Sequence, residues 1–422
     1  MKKFIESEVS TAVETYENLS KKSKISRQIL THLHRWAGLV LALFLFISGI
    51  TGAIISWDHE LDEWLNPHLF ERQSLGDPLS PLDLVDRLED SDPRLLITSI
   101  PLEIEPGYNL TLGVGARIDP DTAKPYELGF NQIALDPVTG EIRGSRMWGE
   151  ISLNRENLLP FLYKLHYSMH IPDAFDLELG MLFMGILAII WTLDCFIALC
   201  ISFPSVKSWY KSFTFRWRQG NYKLTFDLHR SGGVWVWGAL LILAVSSVSM
   251  NLYDEVMRPL VSALSPLNPD PFTSRTPNSR DQPIIPLIER RQIIEIANLE
   301  AKRRNWETPM GSMFYEPDYG IYGVTFHELG EDHADFGLGN PWLYFDGQDG
   351  SYLGDRIPGS GSFGDIFLEA QFPLHSGRIL GLPGRIMVSI LGLVVAILSL
   401  TGIIIWQRKR LVRARIRNST VQ

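Results

Sequence analysis

The stretch His34-Arg-Trp-Ala-Gly-Leu-Val-Leu-Ala-Leu-Phe-Leu-Phe-Ile-Ser-Gly-Ile-Thr-Gly-Ala-Ile-Ile-Ser-Trp57 decides how the rest of the chain is read. Beyond its opening His-Arg it carries no charge, and at about 1.5 Å per residue it is long enough to cross a hydrocarbon core of about 30 Å. Three further runs share this character, at residues 181–201, 234–251 with flanks, and 385–406. The His-Arg dyad recurs as His229-Arg230 before the third run. A Leu-His dyad, Leu165-His166 and Leu374-His375, precedes the second and the fourth.

The chain has 422 residues, a net charge of −9 and only 21% charged residues, and those charges are segregated. Lys21, Lys22, Lys24, Arg27 and Arg35 precede or open the first run. Lys207, Lys211, Arg216, Arg218 and Lys223 lie between the second and third, and Arg408, Lys409, Arg410, Arg413, Arg415 and Arg417 follow the fourth. Basic residues stay on the cytoplasmic side, so both termini and the middle loop are expected inside and the two long segments outside. The expected fold is a membrane α-helical bundle with four transmembrane helices at 31–57, 179–203, 229–253 and 384–406. A cytoplasmic segment 1–30, an inner loop 204–228 and a basic tail 407–422 flank them, and two periplasmic α+β modules occupy 58–178 and 254–383. The first run sits behind a polar stretch of about 30 residues and lacks a small-residue cleavage site, so it reads as a retained anchor. A bacterial inner membrane is the natural setting.

The halves repeat. His34-Arg-Trp-Ala-Gly38 answers to His229-Arg-Ser-Gly-Gly233, Leu135-Asp-Pro-Val-Thr-Gly-Glu-Ile-Arg-Gly144 to Phe345-Asp-Gly-Gln-Asp-Gly-Ser-Tyr-Leu-Gly354, and Leu165-His-Tyr-Ser168 to Leu374-His-Ser-Gly377. With two spans per half, the repeats are expected to be related by an axis along the membrane normal. In the outer modules, 80–88 and 286–302 have helical apolar spacing, while 109–114, 133–135, 321–326 and 342–345 read as strands. The Asp-Pro-Val-Thr-Gly and Asp-Gly-Gln-Asp-Gly segments are turn chemistry. Cys195 and Cys200, five apart on a helix, point in different directions, which excludes a CxxC centre and makes a disulfide unexpected.

Two imidazoles on opposite sides of an iron fill both axial positions of a haem. His34 and His229 open runs that leave the cytoplasmic face, and His166 and His375 precede runs that return from the other. Two haem b groups, one per face, would make an electron route across the bilayer. Arg35 and Arg230 are placed to neutralise propionates, and glycines such as Gly38, Gly52 and Gly233 to leave room for a flat macrocycle. Interfacial anchoring is the other reading of these arginines and histidines. His32, His59 and His170 are alternative ligands, and Asp194 is a carboxylate inside an apolar run, which suggests proton uptake or quinol contact.

Together, the His-Arg start, the Asp-Pro-x-Thr-Gly-Glu segment, the Leu-His dyads and the Trp-Gln-Arg-Lys-Arg end at 406–410 resemble the PepSY-associated transmembrane family of iron-regulated inner-membrane proteins. The resemblance covers most of residues 30–410. It implies a ferri-siderophore reductase type of activity, in which a haem-carrying protein reduces a ferric siderophore or other ferric chelate in the periplasm. The second run departs from the pattern with Trp191-Thr-Leu-Asp-Cys195 where the fourth has Thr401-Gly-Ile-Ile-Ile-Trp406.

In the second outer module, His327-Glu-Leu-Gly-Glu-Asp-His333-Ala-Asp335 groups imidazoles and carboxylates. His327, His333 and Asp335 are candidate iron ligands there, with a solvated hairpin tip as the alternative. Gly359-Ser-Gly-Ser-Phe-Gly364 matches a dinucleotide fingerprint by letters only, lacking the βαβ setting. With no nicotinamide or flavin fold visible, a membrane quinol or a cytoplasmic reductase would donate electrons, and the basic aromatic loop 209–226 would dock such a partner or lie on the membrane. No nucleic-acid partner is expected. Two competing functions are an envelope module that binds peptide or regulates a protease without redox activity, and an iron or small-molecule transporter.

Overall fold

The computed structural model describes residues 2–419 except 176, 204, 280 and 332–335, with side chains from residue 25 onward apart from that of 206. In chain order the helices are α1 (Lys2–Ile55), α2 (Asp58–Leu65), α3 (Pro67–Phe70), α4 (Pro81–Ser91), α5 (Arg155–Ser168), α6 (Leu179–Ser202), α7 (Asn221–Trp235), α8 (Trp237–Asn251), α9 (Arg258–Ser262), α10 (Arg290–Arg303), α11 (Phe363–Glu369), α12 (Gln371–Ser376) and α13 (Leu382–Ser419). The strands are β1 (Leu95–Pro101), β2 (Leu110–Ala116), β3 (Ile118–Asp119), β4 (Lys124–Pro125), β5 (Gln132–Leu135), β6 (Ile142–Arg146), β7 (Met310–Glu316), β8 (Ile321–Phe326), β9 (Trp342–Asp346) and β10 (Tyr352–Arg356). The chain forms two compact units, one of residues 1–50, 185–247 and 390–422, the other of 51–184 and 248–389.

The first unit is helical. Residues Ile25–Ile55 of α1, all of α6, and α13 are each long and apolar enough to cross a membrane. Their surfaces leave Val40, Leu43, Phe46, Leu193, Ile397 and Leu400 exposed. Each such side chain would gain about 1.5–3 kcal/mol on leaving water, so hydrocarbon is the solvent these surfaces suit. Where α1 meets α13, a Cβ at Gly49 would fall 2.5 Å from the Gly392 carbonyl oxygen. That contact brings two backbones together in the manner of small-residue packing between spans.

The expected third span is not a straight rod. Helices α7 and α8 qualify as a fourth span only when joined, and they are bent by 71°. Ser231-Gly232-Gly233 lies just before the break, and sharp kinks arise at such small-residue sites. Val236 leaves the helical region at φ −105° and ψ 9°. Each arm is then tied separately: the Trp235 indole donates to the Phe213 carbonyl at 3.0 Å and the Trp237 indole to the Cys195 carbonyl at 2.9 Å. At about 1.5 Å per residue α8 alone is shorter than the hydrocarbon core, so the apolar run at 234–251 needs α7 to complete a crossing.

The second unit is built on one eight-stranded antiparallel sheet with the order β10-β9-β8-β7-β1-β2-β5-β6. The two long segments between apolar runs, 58–178 and 254–383, therefore supply four strands each to a shared sheet. Its seam is the β1·β7 pair, where Ser99 faces Phe314, each the fifth residue of its strand. Alternation along β2 and β7 puts Leu110, Leu112, Val114, Met313 and Tyr315 on one face. Helices α4 and α10 cover that face with Leu84, Val85, Leu88, Ile293, Ala297 and Ala301, closing one core. The expected helices at 80–88 and 286–302 are these two, observed at Pro81–Ser91 and Arg290–Arg303.

The two turns singled out by their sequence are structural. Asp136 accepts the backbone N–H groups of Val138 and Thr139 at 3.0 and 3.1 Å. Asp346 accepts that of Gln348 at 2.6 Å. Gly140 and Gly350 close the turns at φ 75° and 73°, a conformation that favours glycine.

Candidate functional site

In the helical unit, His34 on α1 and His229 on α7 face one another with ring centres 6.0 Å apart and planes 48° apart. Each Nδ1 has a partner. That of His34 lies 3.0 Å from both carboxylate oxygens of Asp194 on α6. That of His229 lies 2.9 Å from the Leu398 carbonyl oxygen and 3.3 Å from the Thr401 hydroxyl on α13. A carboxylate and a carbonyl only accept, so each Nδ1 is the donor, and in the neutral imidazole that leaves Nε2 with its lone pair. This is the arrangement that orients metal-binding histidines and raises their basicity.

The sheet-bearing unit contains the other pair. His166 near the end of α5 and His375 near the end of α12 have ring centres 6.1 Å apart. Both helices stop in a left-handed residue, Met169 at φ 52° and Gly377 at φ 78°. The helix break after His375 thus has a counterpart after His166. The Thr51 hydroxyl lies 3.1 Å from His166 Nδ1.

An imidazole nitrogen binds a metal at about 2 Å with its ring centre about 1.1 Å beyond, so two rings sharing one iron have centres about 6 Å apart. Both pairs meet that spacing. Glycine makes the clearance: a Cβ at Gly52 would come within 2.8 Å of His166 Cε1, and one at Gly402 within 3.1 Å of His229 Cε1. Gly38, one turn after His34 on the same helix face, has no heavy atom within 4 Å of where its Cβ would lie.

Arg35 and Arg230 follow their histidines as expected. Arg35 reaches His32 Nδ1 at 2.6 Å, and Arg230 donates to the Lys211 carbonyl at 2.7 Å. The Nε of each is buried without a hydrogen-bond partner. Arg35 also lies over the Trp36 ring and Arg230 lies 3.7 Å from Asp227. An open guanidinium donor suits an anionic group such as a propionate, and paired imidazoles with such donors are the residue types a haem takes.

The alternative ligands lie elsewhere. His170 stacks on Phe161 at 4.7 Å and its Nε2 lies 2.9 Å from the Phe161 carbonyl oxygen. His59 Nδ1 is 3.7 Å from Glu63, and His32 is the Arg35 partner. In the acidic segment 327–335, His333 and Asp335 lie outside the described residues. His327 is buried, with Nδ1 2.9 Å from the Glu328 carbonyl and Nε2 without a partner. Among the described residues no group of three or more metal-ligating side chains occurs.

Sequence reading named Gly52 and missed the other residues that hold the imidazoles. Thr51-Gly52 and Thr401-Gly402 do the same work at different pairs: the threonine meets Nδ1 and the glycine clears the ring. The signal was the recurrence of Thr-Gly near the end of two apolar runs. Asp194 was noticed, but its partner proves to be His34.

No curated protein matches the chain. Residues 31–409 match the family model of the PepSY-associated TM region, nearly the full length, and the chain belongs to that family.

Proposed function

We propose that this membrane protein is a haem-carrying reductase that passes electrons across the bilayer to a ferric siderophore or another ferric chelate. The observation that carries the reading is the two histidine pairs, each spaced for a shared iron. Bound at these pairs, haem would supply one-electron carriers. His34 and His229 would hold one through Nε2, with Asp194 and the Leu398 carbonyl keeping the proton on Nδ1. His166 and His375 would hold the other, with Thr51 beside His166 Nδ1. Arg35 and Arg230 would offer their open Nε donors to propionates. The ferric substrate follows from family resemblance, and a quinol or a cytoplasmic reductase would be the donor. In this reading the protein lies in a bacterial inner membrane, with both termini and the His34–His229 pair on the cytoplasmic side.

The detergent-purified protein should show a Soret band that shifts on dithionite reduction, with two haems per chain by pyridine assay. His34→Ala and His229→Ala should each remove the same single haem and leave the second. A folded protein without Soret absorbance would refute the reading.

A further inference from the structure

Asp194 is the only carboxylate in α6 and is buried at 7% exposure. Both of its oxygens lie 3.0 Å from His34 Nδ1, and among the described residues no lysine or arginine pairs with it. An ionisable group in an apolar span is expensive, so its presence asks for a function. Fixing the tautomer of His34 does not require a carboxylate, because the neutral Leu398 carbonyl does that for His229 at 2.9 Å. What distinguishes Asp194 from that carbonyl is its capacity for negative charge.

We infer that Asp194 is a positioning residue that lowers the reduction potential of the iron held by His34 and His229. This rests on the haem reading above. A carboxylate accepting the Nδ1 proton gives the imidazole anionic character and makes Nε2 a stronger donor. A stronger donor favours the oxidised, more positive iron over the reduced one, and the hydrogen bonding behind an axial ligand is one of the protein's levers on potential. The apolar surroundings leave that charge little screened. The cofactor at this pair therefore gives up its electron more readily than one held by two neutrally bonded imidazoles.

The test is a redox titration of the haem-loaded full chain, followed by absorbance, for the wild type, Asp194→Asn and Asp194→Glu. The asparagine variant keeps an acceptor oxygen without the charge. It should retain both haems and raise one of the two midpoints by at least a tenfold change in oxidised-to-reduced ratio, about 59 mV for one electron. Asp194→Glu should return that midpoint toward the wild-type value. Loss of one haem in Asp194→Asn that Asp194→Glu restores would also support a positioning role. Two haems with unchanged midpoints in Asp194→Asn would overturn this inference and leave the haem reading intact, whereas a haem-free wild type would overturn the haem reading itself.

Discussion

At the scale of single residues, what would separate a ligating histidine from an anchoring one, on the haem reading proposed above, is the group behind it. Four histidines were legible in the sequence because each opens or precedes an apolar run. Thr51, Leu398, Thr401 and Gly402 were not, and Gly52 was read as clearance without its imidazole, since threonine, leucine and glycine are ordinary residues of a span and gain meaning only when a distant helix puts an imidazole against them. The same distance explains why Asp194 looked like a proton carrier: its partner His34 is 160 positions away. Clearance makes a testable prediction. Gly52→Ala places a methyl group 2.8 Å from His166 Cε1, whereas Gly402→Ala places one 3.1 Å from His229 Cε1. Gly52→Ala should therefore disturb its pair more, lowering haem affinity at His166–His375 by about 10–100-fold, the effect of losing a group that orients a ligand. Haem-to-protein ratios after dilution into apo-myoglobin as an acceptor measure this, and equal retention in both variants would show that the glycines are mere packing residues.

At the scale of elements, helices were read with more success than the partners they pair with. Apolar spacing located α4 and α10, yet nothing local revealed that Glu89 of α4 and Arg290 of α10 form a two-pronged ion pair at 2.8 Å on both arms. Glu89 also accepts the Ile97 backbone N–H at 2.9 Å, tying α4 to β1. Burial pushes its carboxyl up, but Arg290, the Ile97 N–H and Arg117 together outweigh that and hold it below the ordinary glutamate value. A carboxylate with a depressed folded value stabilises fully above its unfolded value and loses that contribution as pH falls through the folded one. Glu89→Gln should therefore destabilise the sheet-bearing unit by about 3 kcal/mol near neutrality, because Arg290 is left buried without its counter-charge. Denaturant unfolding at pH 7 and pH 3 checks this, and the penalty should shrink at the lower pH. The bend between α7 and α8 was likewise illegible as geometry. Gly232-Gly233 was visible as small residues before an apolar run, but the separate tethers from Trp235 and Trp237 are tertiary.

At the scale of the whole molecule, segregation of apolar runs and lysine or arginine clusters made the membrane class plain. The proposed orientation predicts that, in a Cys195→Ala, Cys200→Ala background, a cysteine at Gln219 reacts with an impermeant maleimide only after the membrane is opened. One at Asp121 should react in intact spheroplasts. Reversal of the two would overturn the assignment of both termini to the cytoplasm. The outer segments looked like two modules because strand periodicity tells which face is buried and not which edge finds which partner. Here the deciding pair, Ser99 with Phe314, joins residues from opposite halves of the chain. That seam bears on how such a chain can be divided. Either four-stranded half, expressed alone, would carry β1 or β7 as a naked edge, and a naked edge seeks another strand. A second copy of the same half would offer one in the same antiparallel sense, so half-length chains should associate in a concentration-dependent way. The continuous polypeptide turns that encounter between molecules into an internal one and frees the fold from dilution.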